Sequence, residues 1–388
     1  MRETPLFLTR IECPVCGTVN EYETIRVGAY TEGERDTDFC PSYIKWRNPK
    51  YQRFHPLLFF TAACSHCHYT REFNGKFKDW SHDNNFRTYR LKSIKEKHLS
   101  NLAAADSFIK LVGGFLDQEN YPDETAVLKL LLAAFDELLN EHPSHLDLGR
   151  FYLRVAWLFR HSGSGPEEAP VVTRPRAVED IERAIGDIST WTAGFGRNIE
   201  YLQESIAAYA EKQAASDDDR IPLPELQAAV DRLSEIQAEC ENILRGLETR
   251  LSTLKTSADV AVSLASGTSF HDYASFGEFL VKLARVWDGV PRNETEAIQF
   301  AVKYYMMAFE AGKEIAHGNQ AIQAAYLIAE LSRRTGDHDM ARQYFNKTIK
   351  MGQEFINEIR GDRTRTALAK KLLELALAQG KRNLAEAK

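Results

Sequence analysis

This chain of 388 residues is short of several things, and each shortage narrows its class. Long apolar runs are missing. None approaches the ~18–20 residues needed to span a bilayer, so no membrane insertion is expected. The opening stretch MRETPLFLTRIECP is too polar for a secretory signal, which predicts a cytoplasmic protein. Cysteine is sparse, with six residues in all. In a reducing compartment so few thiols do not make a disulfide framework; they bind metal or lie buried. Common catalytic signatures are missing too: there is no H-E-x-x-H, no G-x-x-x-x-G-K-[ST] and no G-x-S-x-G. Disorder is not expected, because 44% of the residues are hydrophobic and 27% charged. The length allows two or three domains of roughly 100–200 residues each.

Four of the cysteines form two C-x-x-C pairs. Cys13 and Cys16 lie in CPVCG, and Cys64 and Cys67 in CSHCH. Two such pairs supply four thiolates, the ligand set of a structural zinc ion, with each tight turn presenting two sulfurs. Gly17 follows the first pair, where positive φ lets backbone N–H groups turn toward sulfur. His68 stands at the equivalent place after the second. A structural Zn²⁺ on Cys13, Cys16, Cys64 and Cys67 is therefore expected, with no open position for catalysis. Other readings are a ligand swap to His66 or His68, a redox dithiol, and simple burial. Redox chemistry would need a βαβ setting, whereas PLFLTRIE and YETIRVGAY read as short strands. Cys40 has no paired partner and reads as a buried small hydrophobe, and Cys240 reads as helix core.

Helix dominates from about residue 91. LLLAAFDELLNEHPSHLDLGRFYLRVAWLFRHSG gives two amphipathic helices broken at Pro143. In AAYLIAELSRRTGDHDMARQYFNKTI, the residues Ala325, Tyr326, Ala329, Gly336, Ala341, Phe345 and Thr348 fall in the small–large order of a tetratricopeptide repeat. Leu153, Val155, Ala156 and Gly163 echo its first half. Ala297, Ala301, Tyr304 and Ala308 supply a delayed second half, and residues 365–379 read as a capping helix. Between them lies an insertion. Val178, Ile181, Ile185, Ile188, Thr192, Phe195, Ile199, Leu202, Ile206 and Tyr209 step by threes and fours. Leu226, Leu233, Cys240, Leu247 and Leu254 repeat every seven, with Val230, Ile236, Ile243 and Leu251 in the intermediate seam. Two heptad helices joined by ASDDDRIPLP predict an antiparallel coiled-coil hairpin. The expected fold is mainly α: a small β-rich zinc-ribbon-like head (1–90), a TPR-like helical body (91–163 and 291–388), and the hairpin insertion (164–290).

CPVCG, RDTDFC (35–40), NPKY (48–51) and CSHC, followed by these helices, resemble the bacterial domain of unknown function 2225 family. The resemblance covers roughly 1–163 and 292–355. It implies a zinc-ribbon-like head on a helical repeat body and implies no activity. His68 in place of glycine departs from the family pattern, as does the long arm.

A scaffold or adaptor is the function expected. Protein partners would bind the helical repeats and the arm, and the arm also offers a route to self-association. The alternative is nucleic-acid binding by the head. Residues 44–98 hold twelve Lys and Arg against four Asp and Glu, interleaved with aromatics. For an enzyme, the only candidates are Asp36, Asp38 and His66. The two aspartates read more simply as turn residues, with Arg35 at hand as a partner.

Overall fold

Short alternating segments around the cysteines form hairpins rather than a continuous sheet. The computed structural model describes residues 4–162, 173–216, 223–267, 269–359 and 362–387. β1 (Leu6–Glu12) pairs antiparallel with β2 (Val19–Ile25), from Leu6 opposite Ile25 to Glu12 opposite Val19. β3 (Tyr30–Glu32) pairs with β4 (Ile44–Trp46), and β5 (Thr61–Ala63) with β6 (Thr70–Glu72). Each is a separate two-stranded sheet, and such sheets are marginal without further support. The C-x-x-C turns close the first and third.

Four helices follow: α1 (Leu91–Ala103), α2 (Phe108–Gly113), α3 (Pro122–Leu138) and α4 (His145–Ser162). Pro122 opens α3 with Asp123 and Glu124 in its first turn, a favourable start for a helix. The chain then makes α5 (Thr173–Ser216) and α6 (Leu223–Gly267) before returning as α7 (Phe276–Val286), α8 (Glu294–Ala311), α9 (Asn319–Arg334), α10 (His338–Glu358) and α11 (Arg363–Glu386). The fold is mainly α with a small β head.

Two compact units result: Met1–Ala169 with Ala265–Lys388, and Pro170–Leu264. In the first, α4 packs on α8 across the interruption. Gly149 lets the Tyr305 ring approach, and Tyr152 stacks on Tyr304 at 5.5 Å and on Phe300 at 4.8 Å. Leu153, Val155, Ala156, Ala297, Ala301, Tyr304 and Ala308 are all buried. Ala325, Tyr326, Ala329, Ala341, Phe345 and Thr348 are buried where α9 meets α10, and Gly336 turns between the helices at φ +80°. The expected insertion runs to residue 290, yet Phe270, Phe279, Leu280, Leu283 and Val290 belong to the main core of the first unit. A run of apolar residues after the heptads carries no mark of which core it joins.

In the second unit the first helix follows the predicted seam. Thr192 and Ile199 are buried, and Ile181, Ile185, Ile188, Phe195, Leu202 and Ile206 are half-buried. Tyr209, the last seam position, is 43% exposed. On the second helix the frame needs correction. Ile236 and Ile243 are exposed, and Gln237 and Leu244 take the seam beside Leu226, Val230, Leu233, Cys240, Leu247 and Leu251. Steps of four and three from Leu226 reach these positions in turn; 236 and 243 each fall one residue short, about 100° around the helix. The helices touch where Gly196 meets the Gln237 side chain. Gly163, the segment 217–222 and the side chains of Val178 and Leu254 lie outside the described residues. Leu233→Glu is expected to cost the arm about 2 kcal/mol or more of lost burial, while Ile236→Glu leaves it unchanged. Helix content and protease resistance of the two variants check this, and equal losses would overturn the frame.

Candidate metal centre

The two C-x-x-C turns are near-copies of each other. In the first, the Cys13 N–H donates to Thr18 O at 2.9 Å and the Gly17 N–H to Cys13 O at 2.9 Å. In the second, the Cys64 N–H donates to Tyr69 O at 3.0 Å and the His68 N–H to Cys64 O at 2.9 Å. Gly17 has φ +76° and His68 has φ +62°. His68 thus adopts the glycine geometry, at a cost of roughly 1–2 kcal/mol. Its ring packs flat on Gly113 of α2, where a Cβ would fall 2.3 Å from the imidazole.

This pairing brings all four sulfurs within 4.8 Å of one another. Cys13 and Cys67 are 3.7 Å apart, and Cys16 and Cys64 are 3.5 Å apart. A tetrahedral ion with sulfur at ~2.3 Å requires edges of about 3.8 Å, so the donor set fits. No disulfide forms. Close sulfurs work against joint ionisation. The hydrogen bond with Cys64 and burial push the Cys13 thiol up to about 12, and contact with Cys13 and Cys64 raises Cys67. Hydrogen bonds from Cys13 and Cys67 lower Cys64. A divalent cation would remove that conflict by accepting all four as thiolates.

The surroundings hold the cage in place. Asn20 Nδ2 reaches Cys64 Sγ at 3.5 Å, and Asn20 Oδ1 accepts from the Ser65 N–H at 2.8 Å. His98 of α1, fully buried, bonds the Cys67 carbonyl through Nε2 at 2.9 Å and Asp136 of α3 through Nδ1 at 2.6 Å. The Asp136 carboxylate also accepts from the Thr70 N–H at 2.7 Å. Sequence reading missed this relay, although its signals exist. His98 falls four residues after buried Ile94, on the same helix face, and Asp136 interrupts the apolar run LLLAAFDELL. His66 is exposed and His68 packs on Gly113; neither belongs to the sulfur cluster. Cys40 is buried elsewhere, and burial raises its thiol to about 12. Cys240 is half-buried on the arm seam.

The acidic motif RDTDF has another task. Its aspartates are ion-paired, though not with Arg35, which pairs with Glu32 at 2.9 Å. Arg160 of α4 holds Asp38 at 2.7 Å, Asp36 at 3.3 Å and Glu294 at 2.7 Å. Arg334 of α9 holds Asp36 at 2.8 Å and Glu330 at 2.9 Å. The Tyr326 hydroxyl donates to the Thr37 carbonyl at 2.9 Å. The motif clamps the head loop to two helices of the body. His66 lies on the second C-x-x-C turn and makes no bond to these aspartates, so the three catalytic candidates are not brought together.

The basic aromatic stretch is largely core. Trp46 is buried among Tyr30, Tyr51 and Phe59 and donates from Nε1 to Phe54 O at 2.8 Å. Phe73, Phe77 and Phe86 are buried around the cysteines. Tyr89 is 78% exposed. No helix among the described residues is long and apolar enough to cross a membrane.

A family model described as "Uncharacterized protein conserved in bacteria (DUF2225)" matches residues 6–186 and 264–367. The stretch it skips, 187–263, takes in most of α5 and most of α6. No curated protein and no solved structure matches the chain. With the match covering most of its length, from the first strand to the last helix, the chain belongs to the DUF2225 family of uncharacterized bacterial proteins.

Proposed function

We propose that this protein is a non-enzymatic cytoplasmic adaptor. A structural Zn²⁺ on Cys13, Cys16, Cys64 and Cys67 holds a zinc-ribbon-like head against a TPR-like body, and an antiparallel coiled-coil arm engages protein partners. The observation that carries the reading is the arm's outer surface. Trp191 is 63% exposed, Tyr201 70%, Ile236 44% and Ile243 48%. Large apolar side chains displayed on a two-helix arm suit a partner helix or a second arm better than water. Two further points support a role without chemistry. Four sulfur ligands fill a tetrahedral ion's positions, and Asp36 and Asp38 are neutralised by arginines.

Nucleic-acid binding by the head remains the alternative, on the strength of its twelve cations against four acids. The burial of Trp46, Phe73, Phe77 and Phe86 removes most of the stacking surface that such binding uses. Affinity capture from native extract with the whole chain and with a chain lacking residues 176–256, each with and without nuclease, tests the two readings. A protein partner that survives nuclease and is lost with the arm is the expected result. A nuclease-sensitive catch indifferent to the arm, weakening steeply with salt, would replace the adaptor reading with the alternative.

A further inference from the structure

A cavity of about 490 Å³ lies beside the second C-x-x-C turn, in the first unit. One wall is every residue from Val19 to Glu23 of β2; another is Thr61, Ala62 and Ala63 of β5. Alternate residues of a strand face opposite ways, so a run of consecutive residues along one cavity means that the cavity meets the strand's edge. β2 pairs only with β1, and β5 only with β6. In a two-stranded antiparallel sheet, half of each strand's N–H and C=O groups point away from the partner. No backbone hydrogen bond joins these two outer edges to each other or to anything else among the described residues. Asn20, bonded to the Ser65 N–H and hydroxyl, fixes their spacing at the metal end.

Two side-chain hydroxyls on the walls also lack partners, and a third group is only partly satisfied. The Thr61 hydroxyl is unbonded on a residue only 2% exposed, and the Tyr22 hydroxyl is buried without a partner. Lys129 of α3 donates from Nζ to the Leu58 carbonyl at 2.6 Å and has no carboxylate ion-pair partner among the described residues. That leaves two of its three N–H donors unused. Burial draws the Lys129 ammonium down to about 8, with Glu23 pulling weakly the other way. It is still mostly charged at neutral pH. On the slot's wall Lys129 thus offers two free N–H donors and a positive charge to a group of opposite charge.

We propose that this slot binds the carboxyl-terminal segment of another polypeptide as an added β-strand, with main-chain bonds to the edges of β2 and β5 and the terminal carboxylate on Lys129. Strand addition draws affinity from unpaired edges, and a carboxylate is the group that completes a half-buried ammonium with free donors. The slot lies outside the arm, so the arm-deletion result above does not bear on it.

The test uses the full-length chain and two fluorescein-labelled hexapeptides of alternating threonine and valine, one ending in a free carboxylate and one in an amide. The acid peptide is expected to bind at least tenfold more tightly by anisotropy. It should slow hydrogen exchange at 19–23 and 61–63, and Lys129→Gln should abolish the preference. No binding of either peptide, equal binding of both, or protection located elsewhere would overturn the proposal. The acid–amide comparison is made on the unaltered chain, so it decides the matter even if the Lys129 variant fails to fold.

Discussion

Cys64→Ser is expected to release the metal and unfold the β head while the helical body keeps its own melting transition. The strands here are three to seven residues long and paired only in twos. What gathers the first and third hairpins is a small cluster in which Ile11, Val15, Ala62, Tyr69, Phe73 and Phe77 pack around the cysteines, while β3 and β4 pack around Trp46. Structural zinc contributes about 10–16 kcal/mol of apparent binding energy in small zinc-finger domains. A cluster this size cannot replace that. The serine leaves three ligands and no fourth thiolate, and a strong chelator should give the same two-step melting on the unaltered chain. Cys40→Ser, made outside the cage, should keep the metal. Calorimetry with metal analysis on the two variants reads the difference. A Cys64 variant that melts and binds metal as the parent does would remove the cage from the head's stability.

The second large effect concerns Arg160→Met. Asp38 is fully buried and depends on Arg160 for its close ion pair. The same guanidinium neutralises Glu294. Removing one partner of a buried pair costs about 3–5 kcal/mol, because the other charge is left uncompensated. Asp36→Asn should cost less than about 1 kcal/mol: Asp36 is 45% exposed, and Arg334 keeps Glu330. Urea unfolding of both variants measures the contrast, and a cost for Arg160→Met no larger than for Asp36→Asn would contradict it. The acid limb follows from the same cluster. Burial raises the Asp36 carboxyl, but Arg334 and Arg160 outweigh it, so its folded pKa lies below the ordinary 3.8. A depressed carboxylate stabilises the fold fully above its unfolded pKa, and that stabilisation is lost as pH falls through the folded value. The clamp should therefore hold down to about pH 4 and weaken below it.

Much of this was legible because it is written locally. Two C-x-x-C turns name their own chemistry, and heptad steps name a seam within a single helix. The seam on α6 shows the limit. Ile236 and Ile243 also repeat every seven, so composition favoured them, yet the step from Val230 to Leu233 places the frame on Gln237 and Leu244. Periodicity gives spacing; the packed partner fixes phase. Distance in sequence hides other features. Arg160 lies 122 residues from Asp38, and nothing near RDTDF announces it, whereas Arg35 is adjacent and pairs elsewhere. The aromatics of residues 44–98 read equally as stacking platforms or as core, and only burial separates the two. His68 looked like a defect in the second turn. Its positive φ and its seat on Gly113 show a side chain carrying out a backbone task usually left to glycine.

One metal ion on Cys13, Cys16, Cys64 and Cys67 is expected to hold the head. Native mass spectrometry of the purified chain, with alkylation mapped to individual cysteines before and after chelation, tests it most directly. The expected result is one zinc ion per chain, with Cys13, Cys16, Cys64 and Cys67 alkylated only once the zinc is removed. A metal-free chain whose four cysteines react at once, or a bound ion whose removal changes none of them, would contradict it.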